Sequence, residues 1–143
     1  MIFNKIDLLK NNKINLKRFK NLPIEEKKEA YELGHVLYSS GEYMKASYVF
    51  AHLVIADPFI ACFWHGLASC KQLLKEYETA IEAWKALCSL HPKDPLGYFH
   101  AAECHLSIEN KKEALQNLDK AEQLCKDASL LNRIQLLKSI HGN

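Results

Sequence analysis

The residues best suited to chemistry are five cysteines and seven histidines, scattered over a chain of 143 residues. Cys62 and His65 stand three apart, and Cys104 and His105 are adjacent. Thiolate and imidazole are the usual zinc donors. A zinc site, however, needs four convergent ligands, and the C-x₂-C and H-x₃-H pairs that supply them are absent. Neighbouring residues on a helix point about a quarter-turn or more apart, so Cys104 and His105 cannot easily share an ion. As a nucleophile and base, Cys62 and His65 lack a third group to orient the imidazole and donors for an oxyanion. The glycines, at 34, 41, 66, 97 and 142, build no phosphate loop. The expectation is a protein with no metal, no cofactor and no catalytic site, whose cysteines fill small buried gaps.

The candidates that remain are aromatic and hydrogen-bonding side chains, and a repeat positions them. From Trp64 to Pro92 the chain reads as two antiparallel helices with a turn near Leu74–Tyr77. Trp64, Leu67 and Ala68 face inward from the first helix, and Ala80, Trp84 and Leu87 from the second. Pro92 ends the unit, because its ring and missing N–H stop a helix. The pattern recurs at one constant interval: Ala46, Ala80 and Ala114; Phe50, Trp84 and Leu118; Ala30, Trp64 and Tyr98; Leu33, Leu67 and Ala101; Pro58 and Pro92. A helix–turn–helix period of about 34 residues with these residue types is the tetratricopeptide signature. The predicted fold is all-α: three tetratricopeptide repeats stacked as an α-solenoid, with an N-terminal helical segment and a C-terminal capping helix.

The repeats are placed at 27–60, 61–94 and 95–128. Gly41 suits the turn of the first, whereas Glu109 and Asn110 replace a turn glycine in the third. A terminal repeat has no neighbour to cover its apolar face. Residues 129–143 are therefore expected to cap it, with Leu130, Ile134 and Leu137 inward and Arg133 and Lys138 on the wet side. Residues 1–26 form the N-terminal segment. Ile2, Phe3, Ile6 and Leu9 keep a helical spacing and have no place in the repeat core, which predicts a weak homodimer through them.

Stacked helix pairs curve into a solenoid whose first helices line the concave side. The stripe beside the core positions, at spacings of four and three, should face that groove. It comprises Tyr31, His35 and Tyr38 in repeat one, Cys62, His65, Ser69 and Gln72 in repeat two, and Leu96, Phe99, Glu103 and Leu106 in repeat three. Rigid aromatics among neutral hydrogen-bonding groups suit an extended peptide with apolar anchors. A clamp for a C-terminal carboxylate would need lysine, arginine and asparagine on that face, and Tyr31, His35, Ser69 and Glu103 do not provide it. A formal net charge of +2 gives no electrostatic case for nucleic acid or an acidic membrane. Lys5, Asp7 and Lys10 interrupt the apolar core that a signal peptide requires. No run approaches the ~20 apolar residues of a membrane span. The expected compartment is the reducing cytosol.

The runs Y-E-L-G-H-V-L-Y-S-S-G-E-Y-M-K-A, G-L-A-S-C-K-Q and Y-F-H-A-A-E-C-H-L resemble the class II chaperones of bacterial type III secretion systems, over roughly 27–125. The family's groove aromatics match Tyr31 and Tyr38, and Phe99 falls on the same face; His35 stands where several relatives carry an aromatic. Leu8–Leu22 is similar to the family's N-terminal region, with Asn11 and Asn12 in place of its glycines. The resemblance implies a cytoplasmic chaperone that holds hydrophobic translocators before export. Its client would be a translocator segment with spaced proline and leucine anchors. An adaptor, or a chaperone for a needle subunit or effector of the same system, would share the fold.

Overall fold

The structure, a computed structural model, describes residues 22–142. Among them are seven α-helices and no strand: α1 (Ile24–Ser39), α2 (Tyr43–Ala56), α3 (Ala61–Leu73), α4 (Tyr77–Leu90), α5 (Pro95–Ser107), α6 (Lys111–Leu124) and α7 (Ala128–His141). Helix α1 starts at Ile24, inside the stretch assigned to the N-terminal segment, because Pro23 caps it and Glu25 and Glu26 fall in its first turn. The expected features of residues 1–21, including Ile2, Phe3, Ile6 and Leu9, lie outside the described residues.

The repeat is visible in the backbone as well as the side chains. Between the helices of each pair one residue takes a left-handed conformation: Gly41 at φ 82°, Lys75 at 61° and Glu109 at 60°. These positions are one repeat period apart, and each lets the next N–H turn back onto the helix just ended. Glu42 N–H reaches the Leu37 carbonyl at 2.9 Å and Asn110 N–H reaches that of His105 at 2.8 Å. Glycine adopts this φ freely and other residues at a cost. Gly41→Ala is therefore expected to lose about 1 kcal/mol. Glu109→Gly should be close to neutral, since relief of the strained φ offsets a freer unfolded chain. Urea unfolding of the two variants checks this, and equal losses at both positions would contradict it.

The entrance to each repeat also recurs. The Trp64 indole N–H donates to the Pro58 carbonyl at 2.7 Å, and one period later the Tyr98 hydroxyl donates to that of Pro92 at 3.2 Å. Each large ring packs with its body against the helices while its polar tip ties down the preceding loop. Where Lys126 replaces the third proline, Asp127 caps α7 instead, accepting the Leu130 N–H at 2.8 Å.

Helices α1–α3 form one compact unit and α4–α7 a second. The first is built around Phe50, 1% exposed, with Leu37, Ala46, Val49, Leu53, Phe63 and Cys70 around it. Its ring fits between two glycines. A β-carbon on Gly34 would stand 2.8 Å from the ring, and one on Gly66 only 2.5 Å. In the second unit, Phe99, Ala102, Leu118, Ala121, Leu130 and Ile134 make the core. Leu130 and Ile134 are thus the inward stripe expected of α7, and Leu137 packs against them. Lys138 is half-buried: its ammonium joins α7 to α6 through Asp119 at 2.7 Å and Glu122 at 3.2 Å.

Candidate functional site

The expected stripe on the first helices is, in the first unit, a run of rings. Tyr31 stands on α1 with its ring 6.0 Å from Phe50 and 5.7 Å from Phe63 of α3. His35, one turn on, is exposed and meets Tyr31 edge-on at 4.7 Å. Tyr38, half-buried, packs against Tyr43 across the turn at 5.4 Å. From α3, Cys62 and His65 are exposed and Ser69 and Gln72 half-buried. Burial raises the Tyr31 phenol, helped by the Cys62 thiol that hydrogen-bonds it. Burial likewise raises Tyr38, with Tyr43 and Cys70 adding to the shift. Both rings therefore stay neutral and present apolar faces with a hydrogen-bonding tip.

In the second unit the expectation needs one correction. Phe99 is 1% exposed and belongs to the core, because α7 lays Leu130 and Ile134 against it and Arg133 places its guanidinium 4.7 Å over the ring. The residue beside it, His100, takes the accessible position. Its ring stacks on the buried Trp84 at 4.7 Å, and its Nδ1 lies 2.7 Å from Glu103 Oε1. Arg133 approaches the other Glu103 oxygen at 3.9 Å. Leu96 is exposed and Leu106 half-buried. The stripe is therefore an aromatic face in the first unit, and in the second it consists of Leu96 and a His100–Glu103–Arg133 ladder. Arg133 is exposed, as expected of the wet side of the capping helix, but its approach to Glu103 and Phe99 was not part of that expectation. Nothing in the pattern marked His100.

The buried thiols are unsuited to nucleophilic chemistry. Burial pushes Cys70 and Cys88 up to about 11 and Cys104 up to about 12, so each is a neutral space-filler at physiological pH. Cys104 is also paired with the Trp84 side chain. Among the described residues no group of three or more His, Cys, Asp or Glu could hold a metal ion. His105 is 6% exposed and its Nδ1 has no hydrogen-bond partner. Burial lowers its pKa, with Glu113 opposing and Lys85 adding to the shift. An imidazole held below its usual ~6.5 binds fewer protons folded than unfolded, so stability is full above that pH and falls as acid is added. Thermal midpoints measured from about pH 7.5 to about 5.5 should fall, and His105→Leu should flatten that slope. An unchanged slope in the variant would mean that His105 does not report on acid.

Helix pairs in a constant repeat register, with recurring turn and loop ties, define a tetratricopeptide-repeat protein. No protein-family model matches the chain. Low calcium response locus protein H of Yersinia pestis is 32% identical over 123 residues, covering 78% of this chain and 73% of that protein. The structure is similar to that of PcrH, a Pseudomonas aeruginosa protein, in complex with the chaperone-binding region of PopD. That likeness has a TM-score of 0.80 and 26% identity over 85% of this chain and 95% of the other. It is also similar to the Yersinia enterocolitica type III secretion chaperone SycD in complex with a peptide of the translocator YopD, with a TM-score of 0.72 and 29% identity over 82% and 98% of the two chains. The chain belongs to the translocator chaperones of type III secretion.

Proposed function

We propose that this chain binds an extended segment of a hydrophobic translocator protein along its first-helix stripe and keeps the client soluble and unassembled before export. The observation that carries this reading is the aromatic face of Tyr31, His35 and Tyr38 in the first unit, in a chain whose relatives PcrH and SycD hold translocator segments. Such rings supply contact area at little entropic cost, and Cys62, His65, Ser69 and Gln72 beside them offer hydrogen bonds to a client backbone. In the second unit the first-helix stripe carries Leu96, His100, Glu103 and Leu106 and has a more polar character. Phe99 acts from below as the support of Arg133. The chaperone works by binding alone, without catalysis or cofactor, in the bacterial cytoplasm where its secretion clients are made. The test is co-expression with translocators of its own secretion system. A stoichiometric complex is the expected result, and co-purification with needle or effector subunits in place of translocators would transfer the client to another class.

SycD has been solved as a dimer in more than one arrangement. By the same logic we infer a weak homodimer here, supported by the apolar spacing of Ile2, Phe3, Ile6 and Leu9. Removing residues 1–22 should shift the sizing profile toward monomer at similar helicity. A full-length chain already monomeric at high micromolar concentration would dispose of the idea.

A further inference from the structure

The stripe does not end with the third repeat. Helix α7 repeats the start of α5 at an interval of 33 residues: Asp127 follows Asp94 as the cap, Leu130 follows Gly97 at a buried position and Arg133 follows His100 at an accessible one. Where α5 and α7 begin side by side, a cavity of about 400 Å³ opens between Leu96, Leu130, Arg133 and the two capping aspartates. Its floor is apolar, formed by Pro95, Leu130 and the 40%-exposed Leu96.

The rim has hydrogen-bonding capacity to spare. Asp94 uses Oδ1 to accept the Leu96 N–H at 3.0 Å, and Asp127 uses Oδ2 to accept the Leu130 N–H at 2.8 Å. One carboxylate oxygen of each is left to accept another N–H. Arg133 is held by its planar face over Phe99, with its side chain 60% exposed and its guanidinium no nearer than 3.9 Å to Glu103. Its N–H edges are therefore placed to donate. The lining sets two carboxylates beside one guanidinium. Acceptors on one side, a donor on the other and an aliphatic floor between them match one residue of an extended peptide. Its side chain would fill the floor, its N–H would meet a carboxylate and its carbonyl the guanidinium.

We propose that this cavity is a subsite for one aliphatic residue of the translocator segment, which makes the capping helix part of the recognition surface. The proposal rests on the client-binding reading above, and its test separates the two. Calorimetric titration of the chaperone-binding segment of the cognate translocator would use the full chain and three variants: Ser129→Phe, which fills the cavity from an exposed lining position, Leu96→Ala, which trims the floor, and Tyr38→Ala in the other unit. Ser129→Phe should weaken binding ~5- to 50-fold, and Leu96→Ala by a smaller factor, at parental melting temperatures. Loss with Tyr38→Ala but parental affinity for both cavity variants would overturn the subsite and leave the client-binding stripe standing. Parental affinity in all three would overturn both. Unchanged client affinity with self-association shifted by Ser129→Phe would give the cavity to a second copy and likewise overturn the proposal.

Discussion

Phe50→Ala is expected to be among the most damaging substitutions in the first unit, lowering stability by ~3–5 kcal/mol and the melting temperature by roughly ten degrees or more. The ring is 1% exposed and is one of the two phenylalanines, with Phe63, in its core. Its loss leaves a void bounded by the backbones of α1 and α3, which cannot collapse without moving whole helices. The same geometry predicts the reverse experiment. A methyl group at Gly66 would stand 2.5 Å from the ring, and overpacking of this kind costs ~1–3 kcal/mol. Gly66→Ala should be destabilising alone and less so with Phe50→Leu, because the smaller side chain withdraws from the new methyl. This non-additivity is the signature of direct contact. If Gly66→Ala melts like the parent, the ring is not clamped between the two helices.

How far such contacts can be read from the chain depends on whether the repeat encodes them. Trp64 and Tyr98 with Pro58 and Pro92, and the turn at Gly41, fall on the repeat register, while the inward stripe of α7 shows in its own helical spacing; all were legible. Gly66 was not. Its equivalents one period away are Glu32 and His100, so nothing periodic marks the close approach to Phe50. Spacing along α5 also could not tell Phe99 from His100. Both lie near the edge of the inward arc, and the choice is made by α7, whose Leu130, Ile134 and Arg133 cover one ring and leave the other beside Glu103. The Tyr38–Tyr43 pair depends on the angle at a turn, which residue types do not specify. The capping helix was expected as cover for the core, and its continuation of the stripe became apparent only with the cavity beside Leu96.

Burial of Phe99 also changes which substitution can probe the client-binding face. Phe99→Ala would remove a core ring and unseat Arg133, so a loss of binding there could not be separated from a loss of fold. Tyr38 is half-buried at the end of α1, where it flanks the first-unit core and meets Tyr43, and it is not one of the core's buried members. Its truncation should therefore cost far more in binding than in folding. Lys85 on α4 is exposed, pairs with Glu82 at 3.6 Å and serves as the control.

The most direct measurement is calorimetric titration of the chaperone-binding segment of the cognate translocator into the parent, Tyr38→Ala and Lys85→Ala, with melting curves for all three. Removing one anchor contact commonly costs ~1–4 kcal/mol, or roughly 5- to 1,000-fold in Kd. The predicted result is a loss in that range for Tyr38→Ala at a near-parental melting temperature, with Lys85→Ala binding like the parent. Normal binding by Tyr38→Ala together with weakened binding by Lys85→Ala would contradict the account and move the client to the exposed surface of α4.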